Sequence, residues 1–478
     1  MHVFCAPRKH STDSRFAAPH VFEFSHQNRN EDVLVTGLGI VSPLGCSANA
    51  TWEAMIAGGR AARSLTRRDI DDFEHLSAMD GLAVHGAAVD YLEVAARLEC
   101  SKLLETIPED IAAGWRSEPM VAMSIVAFAE AMSHAGLRCR DLKPERTAIV
   151  FGSSKGGLKS TERMAKALAA RHRRAPQMAT EGTEIDTEYR CSQLTFQLQN
   201  EALDSWHCGV QPNSATQAIA ALTGAAVASS CPVAACATGL IAFLQGAALI
   251  HRGECDVCIV GSADAGLRSS VLASFHRLRV TSRHRDAAAA CRPFDKFRDG
   301  FVVGEGAGVA VLESRAHATS RRAKSIAKIV AGGWLNDPTG MTQIDETGAL
   351  VSEILKRTLI LKGRCPDILS LHGTGTESND LAEARGIQKA FGADMPQCTA
   401  LKGAIGHLLG AAGSVETVLT LLALHHQQIP GTTNLTTVDA RCQIPLQPHA
   451  RKMPHMQMAA KLSLGFGGHV ACGLFERD

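Results

Sequence analysis

Short apolar runs rich in β-branched residues alternate along the chain with longer stretches of helical periodicity. The first run follows Asp32 as V-L-V-T-G-L-G-I-V, and its G-x-G lacks the spacing of a dinucleotide-binding loop. Further strands are predicted at Thr147–Phe151, Asp256–Val260, Gly308–Leu312, Ile326–Val330, Ile368–His372 and Lys461–Phe475. Helices are predicted at Pro119–Ala135, Gly239–His251, Gly348–Leu361 and Ala382–Phe391. This alternation predicts an α/β fold with mostly buried sheets.

Three stretches break the alternation. Residues 1–31 hold scattered basic residues and no apolar segment of secretory type, so we expect a disordered or loosely packed leader. A transit peptide is the alternative, but Asp13 and Glu23 count against it. Residues 155–212 are polar and charged and predict a surface excursion or cap, and residues 60–113 are also irregular.

Composition narrows the classes of function. Lys and Arg total 49 against 48 for Asp and Glu, so no basic field favours nucleic acid, although a local basic patch can still serve an acidic partner. The long weakly polar stretch 215–250 is interrupted by polar residues and predicts buried helices, not a membrane span. Fifteen cysteines, an odd and dilute set, predict reduced thiols in the cytoplasm. Cys255 and Cys258 lie three apart on a predicted strand and face opposite sides, so a shared metal is not expected.

One cysteine stands at the start of a predicted buried helix. The segment S-S-C-P-V-A-A-C-A-T-G places Cys236 just before an apolar helix that ends near His251, Arg252 and Gly253. The positive end of a helix lowers a thiol's pKa, and its amides can hold an oxyanion, while small neighbours leave room for a substrate. Alone, this pattern still favours an inert buried cysteine.

Two glycine-rich histidine segments change that interpretation. L-H-G-T-G-T ends a predicted strand at His372, and K-G-A-I-G-H-L-L-G-A-A-G-S places His407 five residues after Lys402 and ahead of another buried helix. Glycines let the backbone approach a ligand closely, and an imidazole at a helix N-terminus stays neutral and can donate to a carbonyl. A thiol with two imidazoles predicts a catalytic centre, with no metal-ligand spacing evident.

Five ordered motifs together resemble those of the β-ketoacyl-[acyl-carrier-protein] synthases, most closely the elongating type of fatty acid and polyketide synthesis. They are A-C-A-T-G, R-P-F-D-K-F-R-D-G-F-V-V-G-E-G-A-G, H-G-T-G-T, K-G-A-I-G-H-L-L-G-A-A-G and G-F-G-G. The resemblance runs from about residue 33 to residue 475 and is weakest in the leader and in 155–212. It implies a thiolase-like fold, five αβαβα layers built from two similar halves, here expected at 32–290 and 291–478. It also implies a homodimer, or a heterodimer with a related subunit.

The resemblance implies a decarboxylative Claisen condensation of an acyl thioester with malonyl-acyl carrier protein. Cys236 would take the acyl chain from the carrier protein's phosphopantetheine, and His372 and His407 would promote malonyl decarboxylation and stabilise the enolate. Lys402 would order the histidines, and Glu383, eleven residues after His372, matches the family's supporting acid. No cofactor is implied beyond the pantetheine that carries the substrates.

Other positions match binding roles. Thr374 and Thr376 match hydroxyls that hold the pantetheine arm. The amide of Phe466 would join that of Cys236 in an oxyanion hole, and the Phe466 ring would gate the pocket. The segment R-P-F-D-K-F-R-D-G-F, which starts at Arg292, predicts a buried ion-pair turn behind the active site.

The chain also departs from the family pattern. Gly375 stands where serine is common, and Leu462, Leu464 and Val470 stand where Asn, Phe and Asn are more usual, which bears on acyl specificity and pocket shape. One alternative is a non-condensing subunit of the chain-length-factor kind, which typically lacks the nucleophile. Thiolases and chain-initiating synthases instead resemble Cys-His-Cys or Cys-His-Asn. A cysteine hydrolase or a purely structural acyl-binding protein would not need this set of motifs.

Overall fold

The computed structural model describes residues 20–23, 32–70, 84–166, 209–338, 340–360 and 363–478, with residues 73, 76, 78, 79 and 169. The strands are β1 (His20–Glu23), β2 (Val33–Val41), β3 (Arg63–Ser64), β4 (His85–Gly86), β5 (Thr147–Gly152), β6 (Ala228–Ser230), β7 (Val257–Asp264), β8 (Gly306–Ser314), β9 (Ala327–Asn336), β10 (Ile368–Ser370), β11 (Gln397–Thr399), β12 (Gln428–Ile429), β13 (Arg451–Lys452), β14 (Met458–Gly465) and β15 (His469–Glu476). The helices are α1 (Ala48–Ile56), α2 (Tyr91–Ser101), α3 (Glu109–Ser117), α4 (Pro119–Ala135), α5 (Ser214–Thr223), α6 (Thr238–His251), α7 (Ser269–Arg277), α8 (Arg315–Ser320), α9 (Ala349–Ile360), α10 (Glu377–Phe391), α11 (Lys402–Ile405) and α12 (Ala412–His426). The 3₁₀ turns Ala235–Ala237 and Leu409–Ala411 directly precede α6 and α12.

The main sheet contains the same strand arrangement twice. One half has the order β6-β5-β7-β8-β2, and the other has β11-β10-β14-β15-β9. In each half the second strand along the chain pairs in parallel with the third and the fourth, while the fifth pairs antiparallel with the fourth and the first. A short antiparallel contact between β2 and β9 joins the halves. This repeat ends at Ser314 and starts again at Ala327, later than the boundary predicted at 290/291.

Helices separate and cover the two halves of the main sheet, each of which forms one sheet layer. α4 and α5 pack on the outer face of the first half, and α9 and α10 cover the second. α6 and α12 lie between the sheets and contact each other and both halves. Because both faces of each sheet are covered, β2, β7 and β8 are buried along their whole length. The five αβαβα layers expected from the resemblance are therefore confirmed.

Two glycines let α6 and α12 cross at very short range. A Cβ atom added to Gly239 would lie 2.1 Å from the amide nitrogen of Ser414, and one added to Gly413 would lie 2.7 Å from that of Leu240. From the sequence, the small residues beside Cys236 were expected to leave room for a substrate. Gly239 instead admits the neighbouring helix, and this crossing brings the N-termini of α6 and α12 together.

Some predicted boundaries were wrong. The single strand expected at 461–475 is a hairpin, in which β14 and β15 pair from Met458–Glu476 to Gly465–His469. Its turn contains Gly467 and Gly468, both with φ of +85°, which a glycine adopts without strain. The strand predicted up to His372 ends at Ser370, so His372 lies in the loop after it. α10 begins at Glu377, five residues before the helix predicted there.

Part of the leader that was expected to be disordered forms a strand. β1 pairs antiparallel with β9, from His20–Trp334 to Glu23–Ala331, because β9 would otherwise present an open ladder on that side. Residues 1–19 and 24–31 lie outside the described residues. So does most of the predicted cap, since residues 170–208 are not described. Among the helices that the structure describes, none has the length and apolar character needed to span a bilayer.

Candidate active site

Cys236 lies in the 3₁₀ turn that leads into α6. Ala235 has a φ of +46°, a left-handed conformation that is uncommon for a residue with a side chain. Thr238 fixes the turn, because its hydroxyl donates to the carbonyl of Ala235 at 2.7 Å and accepts from the amide of Ala234 at 2.9 Å. The sharp turn holds Cys236 at the N-terminal end of the buried helix.

The thiol of Cys236 is not acidified at rest. We expected the helix N-terminus to lower its pKa, but burial raises the pKa of the Cys236 thiol to about 11, while the charges of Lys402 and Lys155 oppose this rise. Desolvation of a thiolate outweighs the nearby positive charges here. The resting group is therefore a neutral thiol, and its proton must move to a base when it reacts.

Both histidines lie beside this thiol. The sulfur of Cys236 and one ring nitrogen each of His372 and His407 lie within 4.8 Å of one another. The two imidazoles are nearly perpendicular, at 82°, with ring centroids 5.5 Å apart, and both are buried. These residues come from three distant segments of the chain, as the sequence predicted.

Hydrogen bonds define the tautomer of each imidazole. The amide of Leu409 donates to Nδ1 of His407 at 3.1 Å, and Nζ of Lys402 donates to Nδ1 of His372 at 3.3 Å. With Nδ1 accepting, Nε2 carries the hydrogen on each ring. Burial, followed by the charge of Lys402, holds the pKa of both histidines well below the usual value. Two uncharged imidazoles thus offer Nε2–H donors at neutral pH.

A buried charge network that the sequence interpretation missed lies behind His372. Nζ of Lys402 contacts the backbone carbonyl of His372 and pairs with Oε1 of Glu416 at 2.6 Å. Lys461 pairs with Oε2 of the same carboxylate at 2.8 Å. Glu416 in S-V-E-T-V-L and Lys461 in A-A-K-L are each the single charged residue of an otherwise uncharged run, and this signal could have identified both.

Glu383 supports the H-G-T-G-T loop from α10. Its carboxylate accepts hydrogen bonds from the amides of His372 at 2.7 Å and Gly373 at 2.6 Å, and from the side chain of Asn379 at 2.8 Å. Burial and the neighbouring Asp380 raise the pKa of Glu383 to about 7. Glu383 therefore holds the backbone at His372 and does not touch its ring nitrogens in these contacts.

A pocket opens onto the thiol. Its lining includes Cys236, His372, His407, Thr374, Thr376, Phe466, Phe301 and Val470. The hydroxyls of Thr374 and Thr376 share a hydrogen bond of 2.8 Å. Gly465 approaches the cysteine turn so closely that an added Cβ would lie 2.7 Å from the carbonyl of Ala234 and 3.2 Å from the amide of Cys236. The G-F-G-G turn therefore sits directly against the nucleophile.

The three reactive side chains form a donor set with the spacing of a loose metal site. Tetrahedral zinc would need sulfur and nitrogen ligands at about 2.0–2.3 Å. However, the Nδ1 atoms of both histidines accept hydrogen bonds, so their Nε2 atoms carry hydrogen and have no free lone pair for a metal. Lys402 and Lys461 add positive charge nearby. These side chains do not fit a resident cation.

The R-P-F-D-K-F-R-D-G-F segment forms the buried ion-pair turn that was predicted. Arg298 pairs with Asp439 at 2.7 Å and lies 3.4 Å from Asp380. Asp295 accepts hydrogen bonds from the amides of Thr436 at 2.7 Å and Thr437 at 2.9 Å. These contacts tie the segment to the loop after α12, behind the H-G-T-G-T turn.

Comparison with known proteins gives the same family throughout. The β-ketoacyl synthase N-terminal domain matches residues 30–318, and the C-terminal domain matches residues 336–436. The 3-oxoacyl-[acyl-carrier-protein] synthase 2 of Vibrio cholerae is 31% identical over 453 residues, which cover 93% of this chain and 99% of that protein. The enzyme of the same name from Staphylococcus aureus strain N315 is 29% identical over 455 residues, covering 94% and 99%.

Solved structures agree with this assignment. A type II polyketide synthase ketosynthase, bound to the hexaketide and in complex with its acyl-carrier protein, matches with a TM-score of 0.76 and 25% identity. The match covers 94% of this chain and 99% of that one. Sequence motifs, layered fold and both domain matches converge, so the chain belongs to the β-ketoacyl synthase family of condensing acyltransferases.

Proposed function

We propose that this chain condenses an acyl group held on Cys236 with malonyl-acyl carrier protein. The observation that carries this proposal is the convergence of one thiol and two neutral imidazoles, each with Nε2–H as its free donor. Fatty acid or polyketide synthesis would use the product, a β-ketoacyl thioester lengthened by two carbons.

In the first step, the sulfur of Cys236 attacks the carbonyl of the incoming acyl thioester. A new carbon–sulfur bond forms, the bond to the carrier's pantetheine sulfur breaks, and the proton of Cys236 leaves with that sulfur. Nε2 of each histidine already carries hydrogen and Nδ1 accepts a hydrogen bond, so the departing pantetheine sulfur itself is the final acceptor of this proton. Splitting the reaction through a thioester replaces one difficult step by two easier ones.

In the second step, the malonyl thioester loses carbon dioxide, and the electron pair of the broken bond moves toward the thioester oxygen. The Nε2–H groups of His372 and His407 would stabilise that oxygen by hydrogen bonding. The carbanion then attacks the acyl carbonyl on Cys236, the carbon–sulfur bond breaks, and the released thiolate takes a proton from water. The chemistry needs no metal or resident cofactor, in keeping with the tautomers of both rings.

Other pocket residues suit the binding of these substrates. The amides of Cys236 and Phe466 would hold the oxyanion of the acyl carbonyl, because Gly465 adds no side chain between them. Thr374 and Thr376 would hold the pantetheine arm, and the Phe466 ring would gate the pocket. Lys402 would order the histidines, and Glu383 would brace the loop at His372.

An acyl carrier protein is the proposed partner. The segment 277–285 exposes Arg277, Arg279, Arg283 and Arg285, and Val280 within it lines the pocket. Positive charge beside the pocket would attract a carrier with an acidic surface. The cysteines of the described residues are unpaired, which suits a reducing cytoplasm.

A second subunit is proposed to pair along β6. This strand ends the strand order of the main sheet and exposes Ser229 and Ser230. An exposed strand edge presents unpaired backbone groups that another chain can complete. We therefore propose a homodimer, or a heterodimer with a related subunit, joined at this edge.

The test of this function is acyl transfer to Cys236. Incubation with a panel of acyl-carrier thioesters should add one acyl mass to the protein, observed by intact-mass spectrometry and mapped to Cys236. Cys236→Ala should abolish the adduct and reduce condensation by about 10³-fold or more. Cys231→Ala, which alters a nearby half-buried thiol, is the matched control. Normal condensation by Cys236→Ala would overturn the proposal.

A further inference from the structure

β14 carries a fully buried lysine just ahead of the G-F-G-G turn. Nζ of Lys461 donates to the carbonyls of Leu371 at 2.9 Å and Leu462 at 2.6 Å, and pairs with Glu416 at 2.8 Å. Leu371 immediately precedes His372, so Lys461 ties β14 to the histidine loop. Burial lowers the pKa of Lys461, and the charge of Glu416 opposes that change. A buried ammonium group needs such partners to offset its desolvation.

Glu416 serves two lysines at once. Lys402 contacts its Oε1 at 2.6 Å, and Lys461 contacts its Oε2 at 2.8 Å. Two ammonium groups paired directly with one carboxylate give this ion-paired trio one net positive charge. Glu383 is the next carboxylate, but its oxygens are engaged by backbone amides at His372 and Gly373. The cluster therefore presents excess positive charge to the rear of the active site.

Other charges face the histidines from the remaining sides. His372 faces Lys402, Lys461 and His407, and His407 also faces Lys155. Asp264 lies on the side of Cys236, where its carboxylate accepts from Gly410 and Ser154. Three carboxylates, those of Glu416, Glu383 and Asp264, equal the lysines in number, but the charges that act most strongly on the two rings are those of the lysines. A protonated imidazole is thus disfavoured by electrostatic repulsion as well as by burial.

We propose that Lys461 is a positioning residue for decarboxylation: by sharing Glu416 with Lys402, it leaves a positive charge behind His372 and His407 that keeps both imidazoles neutral and donating. The inference rests on the proposed function, because it concerns the decarboxylation step. Lys461 acts through the histidines and does not line the pocket. Its role differs from that of a structural tie, which would fix the strand without changing the protonation of either ring.

The test is the pH profile of malonyl-thioester decarboxylation in Lys461→Met. Loss of the cation makes the imidazolium forms less unfavourable, so the histidines become protonated at higher pH. The acid limb of the profile, where the rate falls as the pH is lowered, should therefore shift to a higher pH by about 1 unit. Lys328→Met is the matched control, because Lys328 on β9 pairs with Glu476 at 2.9 Å at the protein surface. Its profile should match that of the unmodified protein.

A double variant, Lys461→Met with Glu416→Gln, distinguishes charge from packing. It removes one cation and one anion, so Lys402 alone restores the original net charge, and the acid limb should return toward its starting position. If the single variant does not fold, the double variant replaces it, and a limb shifted upward there would overturn the inference. A folded Lys461→Met with an unmoved limb would also overturn it. An unmodified protein without decarboxylation would instead refute the proposed function.

Discussion

The two halves of this protein contain the same tight turn before a buried helix, but they place different residues in it. In each half, the third strand leads to a 3₁₀ turn and a buried helix, and a residue with a left-handed φ forms the turn: Ala235 at +46° and Leu409 at +54°. The next residue is Cys236 in the first half and Gly410 in the second. The repeated fold supplies the turn twice, but only one copy carries a nucleophile.

The end of the fourth strand shows the same contrast. In the first half this strand ends at Asp264, whose carboxylate accepts a hydrogen bond of 2.6 Å from the amide of Gly410. In the second half it ends at Gly465, which has no side chain and lies against the amide of Cys236. A carboxylate therefore occupies one turn, while the other stays accessible. The open turn is therefore the reactive one, and its counterpart is structural.

The largest loss of activity is expected at His407, which the second half supplies to the nucleophile of the first half. His407→Ala should slow decarboxylation of the malonyl thioester by about 10²–10³-fold, because one of two donors to the enolate oxygen is lost. Acylation of Cys236, followed by intact mass, should change far less. His425→Ala, an exposed histidine near the end of α12, is the control. Equal losses in both steps would mean that His407 is mainly structural.

A smaller loss should follow when the open turn is partly filled. In Gly465→Ala the new Cβ would lie 3.2 Å from the amide of Cys236. We expect both acylation and condensation to fall by about 10²-fold, because the oxyanion site is crowded in both steps. Single-turnover rates for each step check this, with thermal melting as the measure of folding. Unchanged rates in a folded Gly465→Ala protein would contradict an oxyanion site at this amide.

The α/β alternation and the reactive trio could be predicted because they follow from local patterns, whereas the five layers were implied by the resemblance to the family. Apolar strands, apolar helices and short glycine-rich motifs are visible in a single segment, as at Cys236 and His372. The pKa of Cys236 was not predicted, because it depends on burial by segments far away in the chain. The double pairing of Glu416 was also missed, since its two lysines lie 14 and 45 residues from it in the sequence and meet only in the folded core.

The helix crossing gives a prediction about stability. In Gly239→Ala, the added methyl group would overlap the amide of Ser414, at 2.1 Å, where backbone cannot move away easily. We expect a loss of about 1–3 kcal/mol in the free energy of unfolding, seen as a lower Tm. Gly340→Ala is the control, because its nearest contact is the flexible side chain of Gln343 at 3.1 Å. Equal Tm values for both variants would mean that the crossing is not tightly packed.

The smallest change is expected in the pH dependence of decarboxylation, which should differ from the steep pH dependence of acylation. The pKa of Cys236 is raised to about 11, whereas those of His372 and His407 are lowered well below 6.5. Acylation should therefore quicken as pH rises from 7 to 9, because the thiolate fraction grows. Decarboxylation by the acylated protein should change by less than about twofold from pH 6.5 to 8, because both imidazoles stay neutral throughout that range. Stopped-flow rates of each step measure this directly. A decarboxylation limb centred near pH 6.5 would show that water reaches the histidines, and the contrast between the halves would then not extend to their electrostatics.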